Sequence, residues 1–206
     1  MEVVIAGDII GSKKNIPDDY LSVIEPILKH YCKAGMYQIY RGDSFQGWIS
    51  SPQQALYASL HIKAALKVKD TLDVRIAIGI GDINLIDKNI ALSTGSALTR
   101  SGELLDSLKE KSQNLMVNSS KSLDLYMNTA LKMALLSLDH WTANGAAVIN
   151  EILRKPNITQ EELGHKLGIK QATASRRLDR AHWKETQELL HLFDQYYKDI
   201  NDDTTP

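Results

Sequence analysis

The chain has 206 residues, 43% of them hydrophobic, and a formal net charge of -1 at pH 7. This length suffices for one large domain or two small ones, and the near-neutral charge excludes a general attraction to nucleic acid or to an anionic membrane. The single cysteine, Cys32, excludes an internal disulfide, and the lack of a long apolar run or a signal-like start predicts a soluble cytoplasmic protein.

Apolar and amphipathic segments alternate through the first part of the chain. The run Val3–Ala6 predicts a buried strand, and a helical pattern follows Pro17. Residues 36–50 predict a hairpin around a Gly-Asp turn, residues 53–69 an amphipathic helix, and residues 74–86 the clearest strand. A helix, a short strand and a long helix come next. The order β-α-β-β-α-β-α-β-α predicts an α+β domain on the ferredoxin-like plan.

From about Trp141 onward the chain shows helical patterns without a strand pattern. Thr159 and Glu162 have the spacing of a capping box, which predicts the start of a helix. Gly168 ends that helix, and residues 170–181, "KQATASRRLDRA", begin another. Two short helices joined by such a turn are typical of a helix-turn-helix.

These patterns predict two domains and a tail. Residues 1–137 form the α/β domain, residues 138–200 an all-α helix-turn-helix domain, and residues 201–206 a disordered tail. The closing amphipathic helix offers an apolar face for dimerisation, or packs on its own domain. We expect a homodimer, because a monomeric helix-turn-helix binds DNA weakly.

Two Gly-Asp pairs occupy matching places in this plan. Asp8 follows the first predicted strand and Asp43 lies in the hairpin turn, so a ferredoxin-like sheet brings both carboxylates to one edge. Paired carboxylates suit Mg²⁺, which completes its shell with waters and phosphate oxygens. The alternative is that each Gly-Asp is an ordinary turn dipeptide. Nearby candidates for phosphate binding are Gly11, Ser12, Lys13 and Arg41.

The segments "GDIIGSKK", "YRGDSFQGWI", "RIAIGIGDI" and "GSALTRSGELL" resemble, in order and spacing, those of the SatD-like family. More distantly, the same landmarks are similar to those of class III nucleotidyl cyclases. That resemblance implies a nucleotidyl-cyclase-like domain that binds an NTP with Mg²⁺ or Mn²⁺. The implied metal ligands are the carboxylates of Asp8 and Asp43 and the carbonyl of Ile9.

The chain differs from both families at positions that would determine the reaction. Ser44 stands where SatD-like proteins carry Glu, and the cyclase Asn-x-x-x-Arg pair falls on Thr99 and Glu103. The transition-state arginine is therefore missing from its position, which leaves Arg100 as a nearby catalytic candidate. Nucleotide binding is expected ahead of turnover. The alternative is an enzyme that makes a nucleotide product from NTP and uses the helix-turn-helix as a partner or localisation module.

The second helix of the predicted helix-turn-helix concentrates basic and polar side chains. Such a recognition helix reads base edges with Gln and Arg and holds phosphates with Ser and Arg. We therefore expect DNA as a partner and a regulatory function, with a protein-interaction module as the alternative. The predicted DNA-binding residues are Gln171, Thr173, Ser175, Arg176, Arg177 and Arg180.

Overall fold

In the computed structural model, which describes residues 1–202, the apolar N-terminal segments form strands of a mixed sheet. The strands are β1 (Glu2–Ile10), β2 (Cys32–Tyr40), β3 (Ser44–Ile49), β4 (Asp73–Gly81), β5 (Asn84–Ile86), β6 (Asn89–Thr94) and β7 (Leu115–Asn118). Five of them form a sheet in the order β2-β3-β1-β4-β7, with only the β4–β7 pair parallel. The α+β class is confirmed, and the order β2-β3-β1-β4 is that of a ferredoxin-like sheet.

Helices cover both faces of this sheet and make up the C-terminal part. They are α1 (Asp18–Tyr31), α2 (Ala55–Lys67), α3 (Ser96–Lys111), α4 (Asp124–Leu138), α5 (Ala143–Arg154), α6 (Gln160–Leu167), α7 (Gln171–Arg180) and α8 (Trp183–Asp202). Successive side chains of β4 lie on opposite faces of the sheet. Ile76 and Ile78 point into the main core with α1 and α2, whereas Ala77 packs against Leu104 and Leu108 of α3.

The structure differs from the sequence prediction at two places in the sheet. β1 continues through Gly7 and Asp8, so Asp8 lies within the strand and not beyond it. A Cβ at position 7 would lie 2.4 Å from the ring of Phe45. Glycine therefore fits at this point of the strand, where a larger residue would not. The hairpin of β5 and β6 was not predicted. Its turn residues, Asp87 and Lys88, both have positive φ (50° and 52°) without being glycine.

The hydrophobic core continues across the predicted domain boundary. α4 ends at Leu138, one residue past that boundary, and one buried cluster includes residues of β1, α2, α5 and α8. The amino group of Met1 donates to Asn201 Oδ1 at 3.1 Å, and the Tyr197 hydroxyl donates to the Met1 carbonyl. The last helix therefore packs against the first strand of the same chain.

α8 resolves one of the alternatives left open by the sequence. Its apolar residues, including Leu189 and Phe193, are buried within its own chain, so this face does not serve dimerisation. The helix also continues through Asn201 and Asp202, the first two residues of the predicted disordered tail. The rest of that tail, residues 203–206, lies outside the described residues. No helix in residues 1–202 is both long and apolar enough to span a bilayer.

Candidate functional site

The predicted helix-turn-helix is present in α6 and α7. The Thr159 hydroxyl accepts from the Glu162 N–H at 3.1 Å, and the Glu162 carboxylate accepts from the Thr159 N–H at 2.8 Å. These two bonds satisfy free donors at the start of α6, as a capping box should. Gly168 ends α6 with φ +64°, and the Ile169 N–H donates to the Gly164 carbonyl at 2.9 Å. The turn is thereby closed by backbone bonds.

Gly164 allows the two helices to cross closely. A Cβ at this position would lie 2.8 Å from the Ile169 carbonyl oxygen and 3.2 Å from the Gln171 nitrogen. Both neighbours are backbone atoms, which cannot move aside as a flexible side chain would. The glycine therefore fixes the angle at which α7 leaves the turn.

α7 buries one face and presents a basic face to solvent. Ala174 and Leu178 are buried, whereas Arg176 and Arg180 are exposed and Arg177 is half-buried. None of the three arginines pairs with a carboxylate within residues 1–202, so their charge is available to an external anion. The other predicted DNA-binding residues are the exposed Gln171, which donates to Gln160 Oε1 at 2.8 Å, and the half-buried Thr173 and Ser175.

A cavity of about 510 Å³ separates the arginine side of α7 from the start of α5. The Thr142 hydroxyl caps α5 by accepting from the Gly145 N–H at 3.2 Å, and the Trp141 indole donates to the Ala181 carbonyl at 2.9 Å. These bonds hold the start of α5 beside the end of α7. The cavity is lined by His140, Thr142, Asn144, Thr173, Arg176, Arg177 and Arg180, among others.

The sequence did not reveal His140, Thr142 and Asn144 as part of this surface. They lie 32 to 40 residues before the arginines along the chain, and the tertiary packing of α5 against α7 brings the two groups together. A local signal did exist for the cap itself, because Thr is a preferred residue at a helix start. Together, the arginines and hydroxyl and amide groups form a groove suited to phosphate oxygens.

The second predicted site lies at the opposite side of the sheet from α1 and α2. Tyr40, Ser44, Asp8 and Arg75 are register neighbours on β2, β3, β1 and β4, so their side chains form one row. Asp8 Oδ2 accepts from Arg75 Nη1 at 3.0 Å, and Lys109 Nζ from α3 lies 3.9 Å away. Asp8 Oδ1 is buried and has no hydrogen-bond partner within the described chain.

Asp43 lies beside this row, as predicted. Its backbone carbonyl accepts from the Ile9 N–H at 2.9 Å, and its Oδ2 accepts from the Ser12 hydroxyl at 2.7 Å. The Ser12 hydroxyl is therefore engaged by Asp43 and is not free for a phosphate. Gly11 has φ +89°, and a Cβ there would lie 2.1 Å from the Thr71 carbonyl oxygen.

The structure thus brings Asp8, Ile9, Gly11, Ser12 and Asp43 together at one end of the sheet. The candidate cations Lys13 and Arg41 are exposed beside them. The described residues hold no cluster of three or more His, Cys, Asp or Glu side chains suited to a metal. The carboxylate pair and the orphaned Asp8 oxygen still fit a cation that takes its other ligands from water and phosphate.

Arg100 lies apart from these carboxylates. Its Nη1 donates to the Ile80 carbonyl at 2.5 Å, at the end of β4 opposite to Arg75. Arg75 and Ile80 are five positions apart along the strand, a distance of about 17 Å. The structure therefore does not bring this catalytic candidate to the predicted site, and the cations that the sequence missed there are Arg75 and Lys109.

Tyr40 supplies a polar hydroxyl to the same row. Burial raises the pKa of Tyr40, and the negative charges of Asp106 and Asp8 also raise it. The positive charge of Arg41 lowers the pKa, but by less than burial raises it. The phenol therefore stays protonated at neutral pH and can donate a hydrogen bond to an anionic ligand.

Comparison with known proteins gives one match, and it falls on the helix-turn-helix. Residues 146–181 match the family described as winged helix-turn-helix DNA-binding, which spans most of α5 and all of α6 and α7. Residues 146–181 form a DNA-binding helix-turn-helix domain. No SatD-like or cyclase family model matches the chain, and no curated protein and no solved structure matches it.

The helix-turn-helix domain lacks the strands of a wing within residues 1–202. α7 ends at Arg180 and α8 begins at Trp183, and no described strand follows β7. Without wing strands, the described helix-turn-helix presents α7 and the start of α5 as its basic and polar surface. This arrangement supports a DNA-binding regulator.

Proposed function

We propose that the protein is a cytoplasmic, homodimeric transcriptional regulator that recognises a specific DNA sequence through α7. The observation that carries this proposal is the set of three arginines on α7, which lack carboxylate partners in the described chain and line an open groove. An unpaired basic stripe matters more for DNA binding than the near-neutral net charge of the chain.

The position of each side chain suggests its role on DNA. Gln171 begins α7, where the first residues of a recognition helix reach base edges, and its amide can read adenine. Arg176 lies at the centre of the exposed face and can read guanine. Arg177 and Arg180 flank the groove next to the capped start of α5, where they can hold a backbone phosphate.

Selection from a random duplex library with the full chain would identify the DNA site and test this proposal. Arg176→Ala should then weaken binding to the selected duplex by about 10-fold to 100-fold, as loss of a base contact does. Lys198→Ala is a matched control in charge, because Lys198 is exposed on α8. Equal losses in both variants, measured by fluorescence anisotropy, would contradict a specific role of α7.

As a second function, we propose that the α+β domain binds a nucleoside triphosphate with Mg²⁺ or Mn²⁺ at the Asp8 end of the sheet. The observation that favours it is the buried Asp8 oxygen without a donor, because such an atom is costly unless a ligand satisfies it. The resemblance to SatD-like proteins and to nucleotidyl cyclases points to the same residues.

Different residues of this site would bind the metal ion and the phosphate groups. Asp8, Asp43 and the Ile9 carbonyl would hold the ion, which supplies charge neutralisation for the triphosphate. Arg75 and Lys109 already balance Asp8, while the exposed Lys13 and Arg41 can pair with phosphate oxygens. Because Arg100 lies at the far end of β4, we propose binding ahead of turnover.

Calorimetric titration with each NTP and Mg²⁺ or Mn²⁺ tests the second function. Asp8→Asn should abolish the binding heat, whereas Asp82→Asn should retain it. Asp82 is the matched control because it follows a glycine in the same way but is exposed at the other end of β4. Binding that survives Asp8→Asn would contradict the site, and pyrophosphate release in the wild type would favour the enzymatic alternative.

If nucleotide binding regulates the protein, NTP and metal should change its affinity for the selected duplex. A ligand can shift such an equilibrium only by its different affinity for the two states of the protein. Equal DNA affinity with and without NTP and Mg²⁺ would contradict this coupling while leaving both binding sites in place.

A further inference from the structure

α4 carries an apolar face that nothing in the described chain covers. Leu125, Tyr126, Met133 and Leu136 are 65% to 70% exposed, while Met127, Leu131, Leu135 and Leu138 of the same helix are buried. At 100° per residue, the exposed residues form one stripe on the side opposite the buried ones. The only charged side chain among the exposed residues of this helix is Lys132.

We propose that this α4 face, formed by Leu125, Tyr126, Thr129, Lys132, Met133 and Leu136, is the homodimer interface of the protein. The proposal deepens the proposed function and rests on it, because a helix-turn-helix regulator binds a two-fold symmetric site as a dimer. The α8 face, the other apolar helix surface that the sequence offered for this purpose, is buried within its own chain.

The size of the exposed patch fits a second copy of the chain. Four large side chains at this exposure present on the order of 500 Å² of apolar surface, the range in which a patch marks an interaction site. A standard interface takes about 800 Å² from each partner. The apolar residues of α4 therefore supply most of the area of such an interface, and the exposed Thr129 and Lys132 lie among them.

The order of residues along α4 also fits a second copy. Leu125 and Leu136 lie equally far from the midpoint between Ala130 and Leu131, as do Thr129 and Lys132. Two copies packed antiparallel about this midpoint place Leu125 against Leu136 of the partner subunit, and Lys132 beside Thr129 of the partner subunit. The pairing of Leu125 with Leu136 and of Thr129 with Lys132 is reciprocal between the two copies, as a two-fold interface requires.

This interface would set the spacing of the two DNA-binding domains. Three residues separate the end of α4 from the Thr142 cap of α5, and the Trp141 indole donates to the Ala181 carbonyl just after α7. The connection from the α4 face to the recognition helix is therefore short and packed. Dimerisation through α4 fixes the distance and the angle between the two copies of α7.

Sedimentation of the full chain tests the interface directly. The wild type should be a dimer, and Leu136→Glu should weaken self-association by about 100-fold, since it places a carboxylate against an apolar side chain of the second copy. Leu92→Glu is the matched control, because Leu92 is 54% exposed on β6, away from α4. A monomeric wild type, or equal effects of both substitutions, would overturn the interface.

Disulfide trapping tests the antiparallel arrangement. The double variant Leu125→Cys, Leu136→Cys should form a covalent dimer under mild oxidation, whereas Leu125→Cys alone should not. Within one helix the two positions are about 16 Å apart, too far for an internal bridge, and the natural Cys32 is buried. Cross-linking of the single variant, or none in the double variant, would overturn the proposed packing.

The two proposals fail in different ways. A wild type that is monomeric but still binds its selected duplex specifically would overturn the α4 interface and leave the DNA-binding function standing. A dimer that dissociates in Leu136→Glu but binds no DNA sequence specifically would support the interface and contradict the proposed function.

Discussion

Lys63 shows how a single side chain joins the sheet to the C-terminal helices. Its side chain is 3% exposed, and its Nζ lies 2.7 Å from Asp73 Oδ1 and 2.5 Å from Asp139 Oδ1. Asp73 begins β4, and Asp139 follows the last residue of α4. A buried charge is tolerated because both carboxylates pair with it, so removing it leaves those carboxylates undercompensated.

We predict that Lys63→Met lowers the free energy of unfolding by about 3 kcal/mol, the size expected when one side of a buried ion pair is removed. Lys69→Met is the control, since the side chains of Lys69 and Asp19 are 43% and 33% exposed. Lys69→Met should lower the free energy of unfolding by less than about 1 kcal/mol, as for other exposed pairs. Urea unfolding measures both, and equal losses would contradict a structural role for the Lys63 network.

His61 makes the stability depend on pH. It is buried in α2 with its Nδ1 3.2 Å from the Tyr31 hydroxyl. Burial, together with the nearby charges of His30 and Arg154, lowers the pKa of His61 from 6.5 to about 4. The folded chain therefore favours the neutral imidazole, and the stability that this provides is lost as the pH falls from about 6.5 towards 4.

Protonation of His61 should lower the free energy of unfolding by about 2 kcal/mol between pH 7 and pH 5. We predict that the free energy of unfolding of His61→Gln, which retains a polar side chain for Tyr31, decreases between pH 7 and pH 5 by about 2 kcal/mol less than that of the wild type. Urea unfolding of both proteins at the two pH values measures the difference. An identical pH dependence in the variant would show that His61 does not carry the effect.

Sequence reasoning at the residue scale succeeded where neighbours along the chain determine the outcome. The Thr159–Glu162 capping box and the position of Asp43 in its turn were predictable because each is a local pattern. Arg75 was missed as the partner of Asp8, although the alternation of β4 places it on the same face as Ala77 and Gly79. The position of Arg100 could not be predicted from the sequence, because it depends on how α3 packs against the far end of β4.

Among the elements, the α6–α7 turn depends most on one small residue. A side chain at Gly164 would contact the backbone of Ile169 and Gln171, whereas Gly102 in α3 has open space around its Cα. We predict that Gly164→Ala destabilises the protein by about 1–3 kcal/mol through overpacking and weakens DNA binding. Gly102→Ala should instead stabilise it by about 0.5–1 kcal/mol.

Thermal unfolding and anisotropy measure these two effects together. The paired glycine variants separate the loss of space at the turn from the general preference of helices for alanine. A Gly164→Ala protein with unchanged stability and unchanged DNA affinity would contradict the role of this crossing in orienting α7.

Most elements were predictable because their apolar spacing is regular, as in α2 and β4. The β5–β6 hairpin was not predictable, since its strands are short and exposed and its turn lacks glycine. The extent of β1 also escaped prediction. Gly7 and Asp8 are locally typical of a turn, whereas in the sheet the Phe45 ring and the Arg75 carbonyl on the two neighbouring strands leave no space for a side chain at position 7.

At the scale of the whole molecule, the predicted division at residue 137 does not separate two independent cores. The main hydrophobic cluster includes residues from β1 to α8, α2 packs on α5, and Lys63 bonds to Asp139. We predict that the full chain unfolds in one cooperative transition, with calorimetric and van't Hoff enthalpies in agreement. Two resolved transitions, one of which persists in a fragment of residues 138–206, would contradict this.

The central claim is that the full chain recognises a specific DNA sequence through the arginine face of α7 and the start of α5. The most direct measurement is the ratio of its affinities for the selected duplex and for a random duplex at physiological salt. Specific recognition by α7 predicts a ratio of at least about 10³, with affinity that falls as salt increases because phosphates are neutralised. Equal affinity for the two duplexes, or no salt dependence, would contradict it.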